Sequence, residues 1–296
     1  MNNYMMFIIE TLSNMHVGSG ETHFGVVDNL IQRHPVTRIP IIHASGIKGS
    51  MREYFESYSS FSLDEIVQLF GGKVDIELSD RGSSLDFSPG HLIFFEAQML
   101  TIPLRASENV YYDSTSIPLL MEYLEYLNDF FNAEEKTKVL NDWFSSMEQE
   151  LKNKDFVYFY GSDNLEIEDF TEGKKLIVNN GNIKTALNDL CKIEINKLAI
   201  FNKDIFTRIC TDSIPVIARN QIKEDGTSGN LFYEEILPRK TKLFFMIGFD
   251  NYLNSNDHSI LKNKFIQNIT KENNIYQFGA NFSVGYGFSK LIQVNL

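Results

Sequence analysis

The sequence predicts an α+β fold of the ferredoxin-like kind, and three observations carry that expectation. Residues 5–12 form an apolar run of strand length, and a stretch with helical spacing follows over 45–57. In the C-terminal half, an apolar run (241–249), a helical stretch (258–269) and two closing strand-like runs (275–278 and 288–294) give the same strand–helix–strand order. No clean linker divides the 296 residues and no tandem repeat is visible, so a single elaborated domain over 1–296 is expected.

Each element has its own justification. A glycine turn follows the first strand, and residues 25–31 read as irregular or strand-like. Pro35 and Pro40 bracket a loop. Ser45 is placed to cap the next helix, whose apolar residues Ile47, Met51, Tyr54 and Phe55 share one face. Residues 62–70 predict a short helix ended by Gly71-Gly72, and 92–100 a strand. Residues 117–131 and 133–151 have helical spacing and little glycine, which predicts a helical insertion at about 115–152. A strand is expected at 156–160. The polar segment from about 204 to 235 contains Asp225-Gly226, a hairpin signal, and predicts a projecting β-hairpin there. In the helix over 258–269, Ile260, Leu261, Phe265 and Ile269 are read as one side.

Composition narrows the function classes. Hydrophobic residues make up 43% and charged residues 22%, ordinary for a globular protein of this length. Two cysteines, Cys191 and Cys210, do not make a disulfide framework; both are read as small buried hydrophobes in a reducing compartment. The N-terminus lacks a basic n-region, no apolar run reaches bilayer length, and a cytoplasmic location with no membrane partner is expected. The net charge of −12 argues against a surface that is basic throughout, but not against one basic groove. The acids concentrate in the middle of the chain, away from the glycine-rich segments.

Those segments carry the chemistry. His16, Gly18, Ser19 and Gly20 form a small-residue turn, and Asp28 follows as a lone carboxylate among apolar neighbours. A carboxylate beside RNA can hold Mg²⁺ (or Mn²⁺), which takes oxygen ligands and keeps most of its waters. Alternatively Asp28 acts as a base, or simply caps a turn. An aspartate of ordinary acidity is a weak base near neutral pH, which favours the metal role. His16 can shuttle protons, hydrogen-bond RNA or brace the loop. His23, His34 and His43 show no metal-ligand spacing, so no zinc site is expected.

Ser45, Lys48 and Arg52 lie at a predicted helix start, where unpaired amides and the helix dipole attract phosphate. Lys48 and Arg52 are four apart, and like charges at that spacing disfavour a helix unless an anion sits nearby. The plainer reading is a solvated basic face. Near the C-terminus, Gly279, Gly285 and Gly287 allow backbone amides to approach phosphate, and Tyr286 can stack on a base or serve the core. Glu234 or Glu235 can complete a metal shell or act as a base; the structural alternative is a strand-edge salt bridge to Arg239 or Lys240.

Four segments, HVGSGETHFGVVDNLIQRH (16–34), IPIIHASGIKGSMRE (39–53), LFYEEILPRKTKLFF (231–245) and FGANFSVGYGF (278–288), resemble the RAMP backbone subunits of type III CRISPR effector complexes, in particular the repeated subunit of the Cmr (type III-B) complex. The segments span nearly the whole chain in the family's order. The resemblance implies a ferredoxin-like (RRM-like) palm, a thumb hairpin and a helical insertion. It also implies stacking along a crRNA guide and endoribonuclease cleavage of the paired single-stranded target RNA at regular intervals. The implied partners are further copies of the chain, a large signalling subunit and small Cmr-type subunits. By the same resemblance Asp28 is the cleavage residue, Lys48 contacts the guide, and Gly279, Gly285 and Gly287 frame an RNA-facing loop. Tyr233, Glu234 and Glu235 lie near the cleavage site of an adjoining copy, and the thumb splays the target nucleotide. Arg208 and Arg219, read as part of that thumb, contact phosphate or an adjoining subunit. Two alternatives stay open: a non-catalytic guide-binding scaffold, and a stand-alone nuclease that trims guide precursors with His16.

Overall fold

The computed structural model describes residues 3–20, 26–72, 89–222, 226–255, 258–271 and 274–296. His23 and Gly25, and Asp225 of the hairpin signal, lie outside the described residues.

Strand β1 (Tyr4–Thr11) sits near the middle of one large sheet and is covered on both faces. Its near-continuous apolar sequence follows from that position. Met5, Phe7 and Ile9 enter one core cluster, while Met6 and Ile8 enter the cluster on the other face. After the short strand β2 (Ile41–Ile42) and helices α1 (Ala44–Tyr58) and α2 (Leu63–Phe70), the chain forms β3 (Leu92–Phe94) and β4 (Ala97–Arg105). Strand β11 (Lys242–Phe249) runs antiparallel between β1 and β4, and helix α7 (Ser259–Ile269) returns the chain past β12 (Ile275–Gln277) to β13 (Phe288–Gln293), on the other side of β1. The spatial order β13-β1-β11-β4, with α1 and α7 as the two crossovers, is the ferredoxin-like arrangement expected from the sequence.

The remaining strands widen this sheet beyond β4 in the order β5 (Tyr111–Ser116), β8 (Leu198–Phe201), β6 (Phe156–Tyr158), β7 (Gly173–Lys175). Helices α3 (Ile117–Phe131) and α4 (Glu134–Glu150) follow β5 and cover one face through Leu120, Tyr123, Leu127, Leu140 and Phe144. Pro118 stands at the start of α3, and Asn132 ends it in the left-handed region. A short helix α5 (Gly181–Ala186), continued by a π-turn at Leu187–Cys191, packs on α4, and burial pushes the Cys191 thiol up to about 12. Cys210 is buried to the same effect, and neither cysteine is paired.

Helix α2 starts in a capping box: the Ser62 hydroxyl accepts from the Glu65 amide while the Glu65 carboxylate accepts from the Ser62 amide. Four sequence expectations need correction. Helix α1 begins one residue early, with His43 rather than Ser45 as its cap, because the Gly46 and Ile47 amides both donate to the His43 carbonyl. The strand expected over 92–100 is two strands, β3 pairing with β11 and β4 continuing on to Arg105. Ile260 is 80% exposed, since the buried face of α7 follows Leu261, Phe265 and Ile269 at four-residue steps. The hairpin does not begin near 204: residues Lys203–Asp212 form helix α6, capped by the Asn202 side chain and buried through Phe206, Ile209 and Cys210. The hairpin itself is β9 (Val216–Ile222) with β10 (Ser228–Glu235), a two-stranded sheet separate from the large one.

Candidate active site and RNA interface

Three short extended segments meet where the hairpin joins the sheet. Met15 bridges Leu237, Gly18 bridges Ile31, and Asn29 bridges Glu234. The glycine turn, the Asp28 segment and the end of β10 therefore lie side by side, although the sequence separates the first two from the third by about two hundred residues. The Ser19 amide donates to Leu30 and the Gln32 amide to Val17, which ties the first two segments together.

Asp28 stands on the exposed rim of this junction. One carboxylate oxygen, Oδ2, accepts from the Tyr233 amide at 2.7 Å, and the Asp28 and Asn29 amides both donate back to the Tyr233 carbonyl at 3.1 Å. The bond joins two segments 205 residues apart rather than capping a local turn, and among the described residues Oδ2 is the carboxylate oxygen with a hydrogen bond. His16, Gly18, Ser19, Gly20, Asp28, Asn29 and Leu30 line a hollow of about 340 Å³ beside it. A larger hollow of about 820 Å³ lies between α1 and the C-terminal loop, lined by Tyr54, Tyr58, Phe282 and Phe288. Its walls are mainly apolar, whereas the smaller hollow is lined mainly by polar and glycine residues and holds the sequence candidates Asp28 and His16.

The other acids are on the floor of the junction, not its rim. Glu234 is buried; its carboxylate accepts from Asn281 Nδ2 at 2.9 and 3.0 Å and from Arg219 Nη1 at 3.3 Å, and lies 3.6 Å from His16 Nε2. Glu235 is buried as well; Oε1 pairs with Arg33 Nη2 at 2.9 Å and Oε2 accepts from the Ile31 amide at 3.1 Å. The salt-bridge expectation is right in kind and wrong in partner: Lys240 pairs with Glu10 instead, and the Arg239 amide donates to Asn14. Each oxygen of both carboxylates accepts from at least one protein donor, and both side chains are buried.

His16 is 5% exposed, and its Nδ1 lies 2.7 Å from the Glu235 carbonyl. A carbonyl only accepts, so Nδ1 carries the proton and Nε2 faces Glu234. Nδ1 is held by a hydrogen bond and Nε2 lies 3.6 Å from a carboxylate oxygen, so the ring braces the junction while also lining the hollow beside Asp28. The Tyr233 ring, 38% exposed beside Asp28, is the aromatic surface offered at the rim.

The basic candidates separate in the same way. Lys48 is the fifth residue of α1, past the first turn, and is half-buried. Ser45 lies in that first turn and is exposed. Arg52 is committed within the chain: Nε donates to Glu56 at 2.7 Å and Nη1 to the Gly71 carbonyl at 2.6 Å, so it bolts α1 to the end of α2. Arg208 is exposed on α6, not on the hairpin. Arg219 is on β9, paired to Glu234 and placed over the Phe232 and Tyr286 rings at 5.4 and 5.8 Å. Tyr286 thereby joins the hairpin to the C-terminal loop.

The late glycines have two roles. Gly279, at φ +83°, packs so closely that a Cβ would meet the His16 carbonyl oxygen at 2.3 Å. Gly287, at φ +79°, would meet the Phe278 oxygen at 2.0 Å. Both contacts require glycine at these positions, Gly279 on the exposed part of the loop and Gly287 in its buried return. Gly285, at φ +82° with nothing near its Cβ position, is the glycine open to a ligand. Two residues escaped the sequence reading. Asn281 holds Glu234 from a left-handed backbone position, a conformation for which Asn is the usual non-glycine choice. Arg33 gave no local signal, because its partners come from 177 and 202 residues away.

For a divalent metal the fit is narrow but present. Among the described residues no three His, Cys, Asp or Glu side chains cluster in a way that could hold an ion. Asp28 Oδ1 supplies one hard oxygen at an open rim, which suits Mg²⁺ completed by water and phosphate rather than by a protein cage.

A family model for the RAMP superfamily matches residues 8–290. The chain is 27% identical over 289 residues to the CRISPR system Cmr endoribonuclease Cmr4 of Pyrococcus furiosus, covering 95% of this chain and 92% of that protein. The fold is similar to the crystal structure of oligomeric Cmr4 from P. furiosus (TM-score 0.68, 19% identity, 99% and 98% of the two chains covered). It is similar also to a chain of the cryo-EM structure of a type III-B Cmr-beta complex bound to cognate target RNA (TM-score 0.71, 19% identity, 98% and 97% covered). Among the described residues no helix is long and apolar enough to cross a membrane.

Proposed function

This chain belongs to the RAMP superfamily, and on that premise we propose that it is the repeated backbone subunit of a type III-B RNA-guided complex, an endoribonuclease that binds a crRNA guide and cuts the paired target RNA at regular intervals. The observation that carries this reading is the placing of Asp28: an exposed residue held to the Tyr233 backbone by its carboxylate and by its own amide, with the Asn29 amide beside it, on the wall of a hollow it shares with Gly18 and Gly20.

In the proposed reaction a target 2′-oxygen forms a bond to the adjacent phosphorus, and the bond from phosphorus to the 5′-oxygen breaks. The 2′ proton leaves to solvent and the 5′-oxygen regains one. Nucleophile and phosphate belong to the same chain, so the protein's main task is to hold the nucleotide in line. Hairpin β9–β10 is the element that stands out from the sheet and would splay that nucleotide; Tyr233 offers its ring beside the splayed position. Mg²⁺ or Mn²⁺ at Asp28 Oδ1 would supply charge neutralisation at the phosphate. Lys48 and the open Gly285 are the residues assigned to the guide, and further copies of the chain with the large and small Cmr subunits are the proposed partners.

A scaffold reading has one observation of its own, since the bond from the Tyr233 amide to Asp28 would shape the junction without any chemistry. The stand-alone nuclease reading requires a free His16 and meets a buried one. Asp28→Ala in the assembled, guide-loaded complex separates these. Target cleavage is expected to vanish while target binding persists; unchanged cleavage would leave only the scaffold.

A further inference from the structure

We propose that Arg33 is a positioning residue for Asp28, acting through Glu235; this rests on the reading of Asp28 given above. Asp28 has little packing of its own. Its backbone and one carboxylate oxygen are held by Tyr233, and so its place is set by how β10 is held against the segment running from Asp28 to Arg33. Among the described residues, two kinds of contact do that beyond Tyr233. The Glu235 amide donates to the Asn29 carbonyl, and the Glu235 carboxylate spans the Ile31 amide and Arg33.

Arg33 supplies what the carboxylate needs. The two side chains are 7% and 9% exposed, so Glu235 without a counter-charge would be a buried, unpaired anion. The same guanidinium donates through Nη1 to the Cys210 carbonyl near the end of α6. That carbonyl is one of the last four of the helix, which have no partner inside it, and a cation there is favoured by the helix dipole. Arg33 therefore fastens three pieces at one point: the Asp28 segment, the hairpin root and a helix anchored in the core through Phe206 and Ile209. The two forked donors matter, because a lysine ammonium cannot reach the carboxylate and the carbonyl in the same geometry.

The test uses guide-loaded complexes carrying Arg33→Lys, Glu235→Gln or Asp28→Ala, measuring target affinity and the single-turnover cleavage rate at saturating target. For Arg33→Lys the expected result is a cleavage rate down by about 10- to 100-fold with affinity within about twofold, a loss that a slightly displaced reacting group produces. In an Asp28→Ala background Arg33→Lys should add no further loss, because residues that act as one unit are not additive. If Arg33→Lys does not assemble, Glu235→Gln, nearly identical in size, decides by the same split. Normal cleavage by Arg33→Lys beside an inactive Asp28→Ala overturns the role of Arg33 alone. Normal cleavage by Asp28→Ala overturns the functional reading and this inference with it. Equal losses of affinity and rate, or failure of both Arg33→Lys and Glu235→Gln to assemble, assign Arg33 to folding and overturn its positioning role.

Discussion

Asp28 and Glu234 sit on neighbouring segments, bridged through Asn29, yet they have opposite surroundings. Asp28 is on the rim, with one oxygen bonded to a backbone amide and no partner for the other among the described residues. Glu234 is on the floor, enclosed by Arg219, Asn281 and His16. As sequence they are two acids near small or aromatic residues. What differs is burial and the supply of donors: Glu234 is buried with side-chain donors on both oxygens, and Asp28 is exposed with one backbone donor among the described residues. The division between rim and floor also explains how a chain of net charge −12 can hold RNA, because acids closest to the site are neutralised by Arg33 and Arg219.

Each way of breaking that division has an expected size. The largest is removal of divalent metal. Excess chelator on the assembled complex should cut target cleavage by about 100-fold or more and leave target binding in place, checked by following fragments and affinity together; cleavage that persists in full would assign Asp28 to base chemistry or to none. Next is a floor truncation. Glu235→Ala leaves Arg33 buried without its counter-ion and should cost about 3–5 kcal/mol of stability by denaturant titration. An equivalent truncation at the rim, Asp28→Ala, should cost about 1 kcal/mol, the worth of a cap.

The glycines sharpen the same contrast. Gly279→Ala forces a methyl against the His16 carbonyl at a strained φ and should destabilise by about 3 kcal/mol or more, whereas Gly285→Ala faces open space and should cost only the left-handed penalty of about 1–2 kcal/mol. Similar melting shifts for the two would contradict the contrast between a blocked and an open Cβ position. The smallest effect is expected at Lys48. Lys48→Ala should weaken guide binding and lower the salt slope by about 0.7, the value of one phosphate contact on a single strand, with no change in stability.

Much of the palm was legible in the sequence because its signals are local. The apolar run of β1, the face of α1, the glycine stop of α2 and the spacing of α3 and α4 each sit within a few turns of chain. Helix α6 was missed because it opens with polar residues, and its cap, Asn202, lies just outside the segment read as a hairpin. At the site, Asp28 and the glycine turn were found by composition. The roles of Glu234 and Glu235 were not, since Arg33 and Asn281 reach them from 202 residues before and 47 after. Sequence spacing identifies an acid; only its tertiary neighbours decide whether that acid is occupied. Gly279 and Gly287 illustrate the same limit, for a glycine that admits phosphate and one that admits a neighbouring carbonyl look alike along the chain.

The contrast between rim and floor is tested most directly by single-turnover target cleavage in guide-loaded complexes carrying Asp28→Asn or Glu234→Gln, with target affinity measured on the same preparations. Both substitutions remove one charge and keep the side-chain shape. The account predicts that Asp28→Asn loses cleavage at unchanged affinity, while Glu234→Gln cuts at a rate within about threefold of the parent, about 0.65 kcal/mol in barrier. Normal cleavage by Asp28→Asn together with an inactive, fully assembled Glu234→Gln complex would contradict it.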